Sequence, residues 1–415
     1  DIMSLLVQSF REKVSKEKDI RKKDESKPMT CYSTGFLGFD MRNGSIQYGK
    51  RDGKEYKYIS AGIVDGTYNM IIGGTGTGKT TFVLQASGNI VRPFENSAIF
   101  LDDAEAASSA VVSRNQQLLG IYDPEEYKRK VIARNTGITA ENLYERIVMI
   151  HDMKLAEPDK YMYDTGQYDM FGEKIYKLQP TVYILDSLMQ LMPDAVTEEE
   201  SLSGQMSVTS TAKTNAAIFR RIIPKLKAAN IILFVINHIL EDVNISIFKK
   251  KPDVPYLKQG ERLPGGKTIP YLANNLIRFD LSSKLKSDEG FYIDGHIVSI
   301  SFNKSRSNKA GKSVNMVFDQ ERGYDYDLSL YLLLKENKRI KGAGAYLYLE
   351  SCPNIKFAQK QFKEKLMQNP ELQDAFNKEV APLLMEMVSE VTEEESERSV
   401  VSKNLFSMMN DELTA

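Results

Sequence analysis

The sequence predicts an α/β protein built on a doubly wound, mostly parallel β-sheet, and three observations lead to this fold class. Short β-rich runs recur along the middle of the chain, helical stretches lie between them, and a glycine-rich loop directly follows the first run. Strands that alternate with helices form parallel sheets with right-handed crossovers. The β-rich runs are, in order, Tyr68–Ile72, Ala98–Leu101, Val182–Leu185, Ile231–Ile236 and His296–Phe302.

The first four runs are apolar on both faces, which is typical of strands in a parallel sheet that helices cover on both sides. The intervening segments carry the apolar spacing of helices instead. Helices are therefore predicted at Thr80–Ile90, Ala140–Lys154 and Thr209–Ala229.

The first 28 residues are predicted to form a helix on a tether. Residues 16–28 are charged and almost without apolar residues, so they are typical of a flexible linker. Such a helix can dock on its own domain or on a neighbouring subunit, and the sequence alone leaves both open. The apolar face of the helix consists of Ile2, Leu5, Leu6, Phe10 and Val14.

The C-terminal part is predicted to change character after residue 325. Residues 326–388 form a small, mainly helical subdomain, and residues 389–415 an acidic, disordered tail. From residue 386 onward, eight acidic residues face two basic ones, a net charge of −6. The α/β core then spans 29–325, and the predicted packing residues of the subdomain are Phe357, Phe362, Leu366, Leu372, Phe376 and Leu383.

Composition excludes several protein classes. Of the 415 residues, 42% are apolar and no run approaches the ~18 apolar residues of a membrane span. The start has no secretory signal pattern, and Cys31 and Cys352 do not suggest a disulfide framework. Lys and Arg total 55 against 56 Asp and Glu, which argues against a generally polybasic binder. We expect a protein of a reducing, cytoplasmic compartment with no membrane partner.

The strongest motif runs from Gly73 to Thr80, Gly-Gly-Thr-Gly-Thr-Gly-Lys-Thr, between a predicted strand and a predicted helix. Its spacing is that of a phosphate-binding loop. Glycines let backbone N–H groups point inward at phosphate oxygens, and the helix N-terminus adds a positive dipole. Lys79 is the predicted cation for the β- and γ-phosphates of ATP, and Thr80 the predicted Mg²⁺ ligand. The predicted nucleotide-binding residues are Gly73, Gly74, Thr75, Gly76, Thr77, Gly78, Lys79, Thr80, Thr81 and Asp186.

Three further strand ends carry polar residues. Asp186 ends the run Val182–Leu185, where a Mg²⁺-associated carboxylate is expected. The run ending at Leu101 continues into acidic residues; Glu105 is the first candidate for the group that activates water, and Asp103 is the alternative. On position alone, His238 is better explained as a structural histidine than as a phosphate sensor.

Taken in order, these motifs resemble the RecA recombinase family, and within it the bacteriophage UvsX-type branch. The likeness covers about residues 30–335, and more loosely the region to 385. It rests on GGTGTGKTT, LDDAE, VYILDSL, FVINH, LPGGKTIPYLANNLIRF, FNKSR and VFDQERGYDYDLSLYLLL.

The resemblance implies an ATP- and Mg²⁺-dependent recombinase. Such proteins form a helical homo-oligomeric filament on single-stranded DNA and exchange strands with homologous duplex DNA. A phage loading factor and a single-strand-binding protein are implied as further partners, and the bacterial host cytoplasm as the location. Two alternatives stay open: a hexameric RecA-like replicative helicase, and an ATP-gated DNA-binding mediator that does not hydrolyse ATP.

The resemblance also assigns catalytic roles. Glu105 matches the family's water-activating glutamate, and Asp186 its Walker B aspartate. His238 stands where the phage branch has its γ-phosphate-sensing histidine. Lys304 and Arg306 match a cationic pair that reaches the ATP of the neighbouring subunit.

Two segments match the family's DNA-binding loops, Pro193–Ser207 and Asn244–Lys267. Between residues 245 and 270, six basic side chains face two acidic ones, a net charge of +4. Basic side chains neutralise phosphates and interleaved aromatic rings can stack on bases. The predicted DNA-binding residues are Phe248, Lys249, Lys250, Lys251, Tyr256, Lys258, Arg262, Gly265, Gly266 and Lys267.

The chain departs from the family pattern at three places. Residues 106–112 lack the aromatic ring that stacks on adenine in bacterial members. Residues 161–177 form an insert without a counterpart, and residues 45–64 are longer than usual.

Overall fold

The computed structural model describes residues 29–103, 111–134, 138–194, 205–241, 256–285 and 295–388. The predicted N-terminal helix, its tether and the acidic tail lie outside the described residues. So do Glu105, residues 195–204 of the first predicted DNA loop and residues 244–255 of the second, with Phe248, Lys249, Lys250 and Lys251.

The described part of the chain contains ten α-helices, and several begin at a residue whose side chain caps the helix. Thr139, Asp325 and Asn369 each accept a hydrogen bond from the backbone N–H three residues later, which satisfies an otherwise unpaired donor. The helices α1–α10 span Leu37–Arg42, Lys79–Val91, Val111–Leu119, Pro124–Lys130, Ala140–Ala156, Gln205–Ala229, Thr268–Leu272, Tyr326–Glu336, Phe362–Gln368 and Pro370–Met387.

Twenty strands lie in the same described ranges, most of them short. The strands β1–β20 span Cys31–Tyr32, Ser45–Arg51, Lys54–Ser60, Ile63–Val64, Tyr68–Gly73, Ile99–Asp103, Val131–Arg134, Met162–Tyr168, Lys174–Leu178, Thr181–Asp186, Ile231–His238, Leu240–Glu241, Glu261–Arg262, Asn275–Leu285, Gly295–Ser305, Ser313–Asp319, Gly323–Asp325, Ile340–Lys341, Leu347–Leu349 and Cys352–Phe357.

The central sheet has nine strands in the order β17-β16-β15-β14-β5-β11-β10-β6-β7. From β14 to β7 all neighbours are parallel, whereas β14–β15, β15–β16 and β16–β17 pair antiparallel. The sheet is therefore mostly parallel, with an antiparallel extension on one side.

Helices cover both faces of the sheet. Successive side chains of a strand point to opposite faces, so strands that are apolar at every position present an apolar surface on both sides. On β11, Ile232, Phe234 and Ile236 belong to one apolar cluster, together with residues of α2. The alternate residues Ile231, Leu233 and Val235 belong to a second cluster, together with residues of α5 and α6. Burying each such side chain stabilises the fold by about 1.5–3 kcal/mol relative to leaving it exposed.

The predicted α/β class and its mostly parallel sheet are confirmed. The five predicted strands correspond to β5, β6, β10, β11 and β15, and the first four are parallel to their neighbours. The three predicted helices correspond to α2, α5 and α6.

The two unusually long segments of the sequence form two hairpins, β2–β3 and β8–β9, which pack on each other. The Lys50 N–H donates to the Asp169 carbonyl at 2.9 Å, and the Tyr168 N–H donates to the Tyr56 hydroxyl at 2.9 Å. Gly49 allows the approach, since an added Cβ would lie 2.3 Å from the Tyr168 carbonyl oxygen. Both hairpins adjoin the edge of the sheet at which β5 and β10 begin.

The C-terminal part is less helical than the sequence predicts. Residues 340–357 form a three-stranded antiparallel sheet, β18-β19-β20, within the region predicted to be mainly helical, and the next helix begins at Phe362. The six predicted packing residues are all buried. They share an apolar cluster with Val317 of the central sheet and Leu328 of α8.

Asn230 provides a test of how α6 is joined to the hairpin region. Its backbone is left-handed, with φ 48°, and its buried side chain accepts from the Gly66 N–H and donates to the Tyr32 hydroxyl and the Leu178 carbonyl. We expect Asn230→Ala to lower the free energy of unfolding by about 3 kcal/mol, since three hydrogen bonds are lost and alanine is strained there.

Asn230→Gly is expected to cost less, because glycine adopts the left-handed backbone without strain. Lys338→Gly is the control, since Lys338 is exposed at a similar φ of 57°, and its effect should stay within about 1 kcal/mol. Urea unfolding curves measure all three. An Asn230→Ala unfolding midpoint equal to that of the wild type would show that the three hydrogen bonds of Asn230 do not stabilise the fold.

Candidate functional site

The glycine-rich loop connects the end of β5 to the start of α2, as the motif requires. Gly76 and Gly78 have left-handed backbones, with φ of 76° and 77°. At Gly78 a Cβ would lie 2.7 Å from the Tyr324 hydroxyl, so any other residue would be both strained and crowded. Thr75 and Gly76 are exposed, and Gly74, Thr80 and Thr81 are half-buried.

Lys79 is held inside this loop. Its side chain is buried, and its ammonium group donates to the Gly74 carbonyl oxygen at 2.6 Å. The Thr77 hydroxyl donates to the same carbonyl at 2.9 Å, and the Tyr324 hydroxyl donates to the Thr77 carbonyl. A cation is thus enclosed by a glycine loop at the N-terminus of a 13-residue helix, which is a favourable place for a phosphate group.

Thr80 and Asp186 meet across the sheet. The Thr80 hydroxyl donates to the Asp186 carboxylate at 2.6 Å, and Asp186 is buried at the end of β10. Hydroxyl and carboxylate oxygens are ligands that Mg²⁺ prefers, with water and phosphate completing the shell. These two residues therefore fit the metal predicted for them. In the described ranges, no group of three or more His, Cys, Asp or Glu is arranged to hold a metal by itself.

Asp102, near the end of β6, is held by two neighbouring side chains. Asp102 is buried and accepts hydrogen bonds from Arg146 of α5 and Tyr183 of β10. Burial and the neighbouring Asp102 carboxylate raise the pKa of the Tyr183 hydroxyl. The next residue, Asp103, pairs in register with Asp186. Glu105 lies outside the described residues, two positions after this strand.

His238 lies beside the phosphate loop. It pairs in register with Gly73, and the following Ile239 N–H donates to the Gly73 carbonyl at 3.1 Å. The side chain of His238 is half-buried. The end of β11 is thus joined directly to the first residue of the loop.

The second predicted DNA loop is closed by a short two-stranded stem. Leu240 and Glu241 of β12 pair with Arg262 and Glu261 of β13. Lys258, Arg262 and Lys267 are exposed beside this stem.

Three predicted DNA contacts lie against protein. The Tyr256 ring is half-buried next to the second apolar cluster, with its centroid 6.4 Å from that of Tyr271, and burial raises the pKa of its hydroxyl. Gly265 and Gly266 have left-handed backbones, with φ of 91° and 83°. A Cβ added at Gly265 would lie 3.0 Å from the Leu188 side chain, and one added at Gly266 would lie 3.2 Å from that of Ala212, so the tight turn approaches protein, although Gly266 is itself exposed.

Two buried polar residues near this stem were not singled out from the sequence. Arg278 of β14 binds Glu261 and Asp280, and Asn237 of β11 donates to the Pro264 carbonyl at 2.8 Å. A signal exists at Arg278, because an arginine interrupts the apolar run Asn-Leu-Ile-Arg-Phe, but its partner 17 residues earlier is not evident from the sequence.

Lys304 and Arg306 lie near the end of β15 and bind backbone carbonyls at the C-terminal end of α7. The Lys304 ammonium donates to the carbonyls of Tyr271 and Ala273, and the Arg306 guanidinium donates to that of Tyr271 at 2.7 Å. Burial, and secondarily the Arg306 charge, lower the pKa of Lys304 to about 8.

This pair is far from the phosphate loop of its own chain. Leu276 of β14 pairs with Lys304 on one side and with Met70, near the start of β5, on the other. Gly73 is three residues further along β5, so the backbones are separated by roughly 10 Å along the strands and roughly 10 Å across them. The Lys304 side chain is directed at the carbonyls at the C-terminal end of α7.

Comparisons with known proteins do not add a family. No protein-family model matches the chain, and a search of curated proteins finds no match. Within the described ranges, every helix is too short or too polar to cross a membrane.

The lowered pKa of Lys304 can be measured directly. In protein labelled with ¹³C at lysine side chains, we expect an NMR signal that titrates near pH 8 and that is absent from Lys304→Arg. A Lys304 midpoint above pH 10 would contradict its burial among the carbonyls.

Proposed function

We propose that this chain is a RecA-family recombinase of the UvsX type, with a RecA-like core and an ATP-driven DNA strand-exchange activity. One observation carries the proposal. At a single edge of the sheet, the phosphate loop, the Thr80–Asp186 pair, the end of β11 and the stem of a basic loop adjoin one another. A site of this composition can bind a nucleotide, and the binding of that nucleotide can alter the conformation of the adjoining basic loop.

In this mechanism Lys79 and the loop N–H groups bind the β- and γ-phosphates of ATP. Thr80 and Asp186 hold the accompanying Mg²⁺, which supplies charge neutralisation when it is bound. Glu105 orients the attacking water and accepts its proton, with Asp103 as the alternative. His238 senses the γ-phosphate. Its response to the γ-phosphate alters the conformation of the loop that follows β11.

Lys304 and Arg306 are proposed to complete the ATP site of a neighbouring protomer. Their separation from the phosphate loop of the same chain supports this role, because neither can serve its own nucleotide from there. A head-to-tail contact that repeats without closing forms a helical filament. The N-terminal helix, residues 1–28, is proposed as the tether between protomers.

The edge strand β7 and the outer face of α5 support an interface between protomers. β7 is the last strand of the nine-stranded sheet, and its Ile132 is 45% exposed. On α5, Met149 and Met153 are 62% and 58% exposed. Exposed apolar side chains of this kind form a surface that a second protomer can cover.

The proposed DNA groove is formed by the basic loop above its stem. Exposed Lys258, Arg262 and Lys267 are positioned to neutralise phosphates of single-stranded DNA, together with the lysines at 249–251. Homologous duplex DNA is the second substrate. A loading factor and a single-strand-binding protein are the expected partners, in the cytoplasm of the host cell.

The closed-ring helicase is the less favoured alternative, because the motifs FNKSR and GGKTIPYLANNLIRF match the recombinases. The non-hydrolysing mediator is disfavoured by Glu105, which supplies the group that hydrolysis needs. Both alternatives share the phosphate loop, so that loop alone does not separate them.

Substitutions of Lys79 and Glu105 test binding and hydrolysis separately. Lys79→Ala is expected to abolish ATP-dependent binding to single-stranded DNA, because the phosphates lose the cation enclosed by the loop.

Glu105→Gln is expected to bind ATP and DNA but to hydrolyse ATP about 10²–10⁴ times more slowly, because the amide cannot accept the proton.

Fluorescence anisotropy with labelled single-stranded DNA and a phosphate-release assay measure these effects. Lys128→Ala, a change of an exposed lysine on α4, is the control and should resemble the wild type. ATP-stimulated DNA binding by Lys79→Ala at the wild-type level would refute the phosphate-loop assignment. Unchanged turnover in Glu105→Gln would move the base to Asp103.

Mixing two inactive variants tests whether Lys304 and Arg306 act between protomers. Lys304→Ala and Lys79→Ala should each be inactive alone, whereas a mixture should regain part of the DNA-dependent ATPase activity. Some mixed interfaces then combine an intact phosphate loop with an intact cation. Absence of any recovery, with both variants shown to co-assemble, would count against a shared site.

A further inference from the structure

Two buried polar side chains flank the last strand residue before the phosphate loop. Ile72 of β5 pairs in register with Asn237 of β11 on one side and with Arg278 of β14 on the other. Both strands are otherwise apolar at this level, with Ile236 and Ile277 buried next to the polar residues. A polar group in such a place needs a specific partner. The partner of Arg278 is Glu261, in the stem of the basic loop, and that of Asn237 is Pro264, two residues after the stem.

Asn237 is fully buried and uses both ends of its amide. Its nitrogen donates to the Pro264 carbonyl at 2.8 Å, and its oxygen accepts from the His238 N–H at 3.0 Å. Pro264 directly precedes the Gly265–Gly266 turn. One side chain therefore connects the end of β11, beside the phosphate loop, to the returning end of the basic loop.

Arg278 makes the second connection from the other side of β5. Its guanidinium binds Glu261 through two hydrogen bonds of 2.7 Å and Asp280 through two of 2.7 and 2.9 Å. Only 5% of the Arg278 side chain is exposed. Two-pronged arginine–carboxylate contacts fix orientation as well as distance. The hydrogen bonds from Arg278 lower the pKa of the Glu261 carboxyl, so the pair stays charged at neutral pH.

We propose that Asn237 and Arg278 are positioning residues that link the phosphate loop to the DNA loop and transmit nucleotide binding to DNA affinity. The inference deepens the proposed recombinase function and rests on it. It assigns the coupling between nucleotide binding and DNA binding to Asn237 and Arg278, in addition to His238. These two residues, on the strands that flank β5, are called the anchors. A shift of Ile72 and Gly73 on nucleotide binding displaces both neighbouring strands, and each carries its part of the stem along.

The anchors act on coupling and not on either binding site itself. Asn237 and Glu261 contact neither Lys79 nor Thr80, and their loss leaves the exposed lysines of the loop in place. Removing an anchor should therefore preserve ATP affinity and the DNA affinity of the nucleotide-free protein, while the increase in DNA affinity caused by nucleotide is lost. A purely structural role would instead lower stability and both affinities together.

The test uses the full chain, a non-hydrolysable ATP analogue and a labelled single-stranded oligonucleotide. The quantity measured is the ratio of the DNA Kd without nucleotide to the DNA Kd with it. We expect this ratio to fall about tenfold or more in Glu261→Gln and in Asn237→Ala, within the usual range of allosteric couplings. The analogue's Kd without DNA should change less than about twofold.

Asp65→Asn is the matched control for Glu261→Gln. Asp65 forms an ion pair with Lys177 at 2.8 Å that is also largely buried, next to the hairpins instead of the DNA loop. The control should keep the wild-type ratio. Glu261→Gln removes a negative charge, which changes the DNA Kd with and without nucleotide by the same factor. Because the ratio divides two DNA Kd values of the same variant, this factor cancels.

Either variant decides the question if the other does not fold. Wild-type ratios in a folded Glu261→Gln or Asn237→Ala variant would overturn the proposal and leave the recombinase function intact. A wild-type protein whose DNA affinity does not respond to nucleotide would instead overturn the proposed function, and the coupling with it.

Discussion

The parallel pairing of β5 with β11 and β14 determines where the candidate groups of the phosphate site that the structure describes lie. Both faces of these strands are buried, so a slip of one residue would turn each apolar side chain toward the wrong cluster. The register is therefore fixed by packing. It brings His238 next to Gly73 and, through β10, Asp186 next to Thr80. The chemistry of the site is thus a consequence of how the hydrophobic core is packed.

The same sheet also separates two sets of charged groups. The phosphate loop follows the end of β5, whereas Lys304 and Arg306 lie beside its beginning. In the proposed assembly, head-to-tail stacking brings one edge of a protomer to the opposite edge of the next. The paired β2–β3 and β8–β9 hairpins adjoin the same edge as the cations, which makes them neighbours of that interface.

Patterns within short stretches of sequence predicted most of the features that are formed by residues adjacent in the chain. Apolar runs and the glycine spacing were sufficient for β5, β10, β11 and the phosphate loop, because each signal lies within a few adjacent residues. Contacts between distant segments were not predictable in this way. Asp102 binds Arg146, 44 positions away, and β18–β20 have only two, three and six residues, too few for a clear alternation. Glu105 and the lysines at 249–251 lie outside the described residues, so their roles remain predictions.

Electron microscopy of the full chain with single-stranded DNA and a non-hydrolysable ATP analogue tests the central claim most directly. The account predicts open helical filaments that require both DNA and nucleotide, because the ATP site is completed only between successive protomers. Closed rings under the same conditions would contradict it and favour the hexameric helicase. Isolated protomers on DNA would contradict it as well, since Lys304 and Arg306 would then have no neighbouring nucleotide to reach.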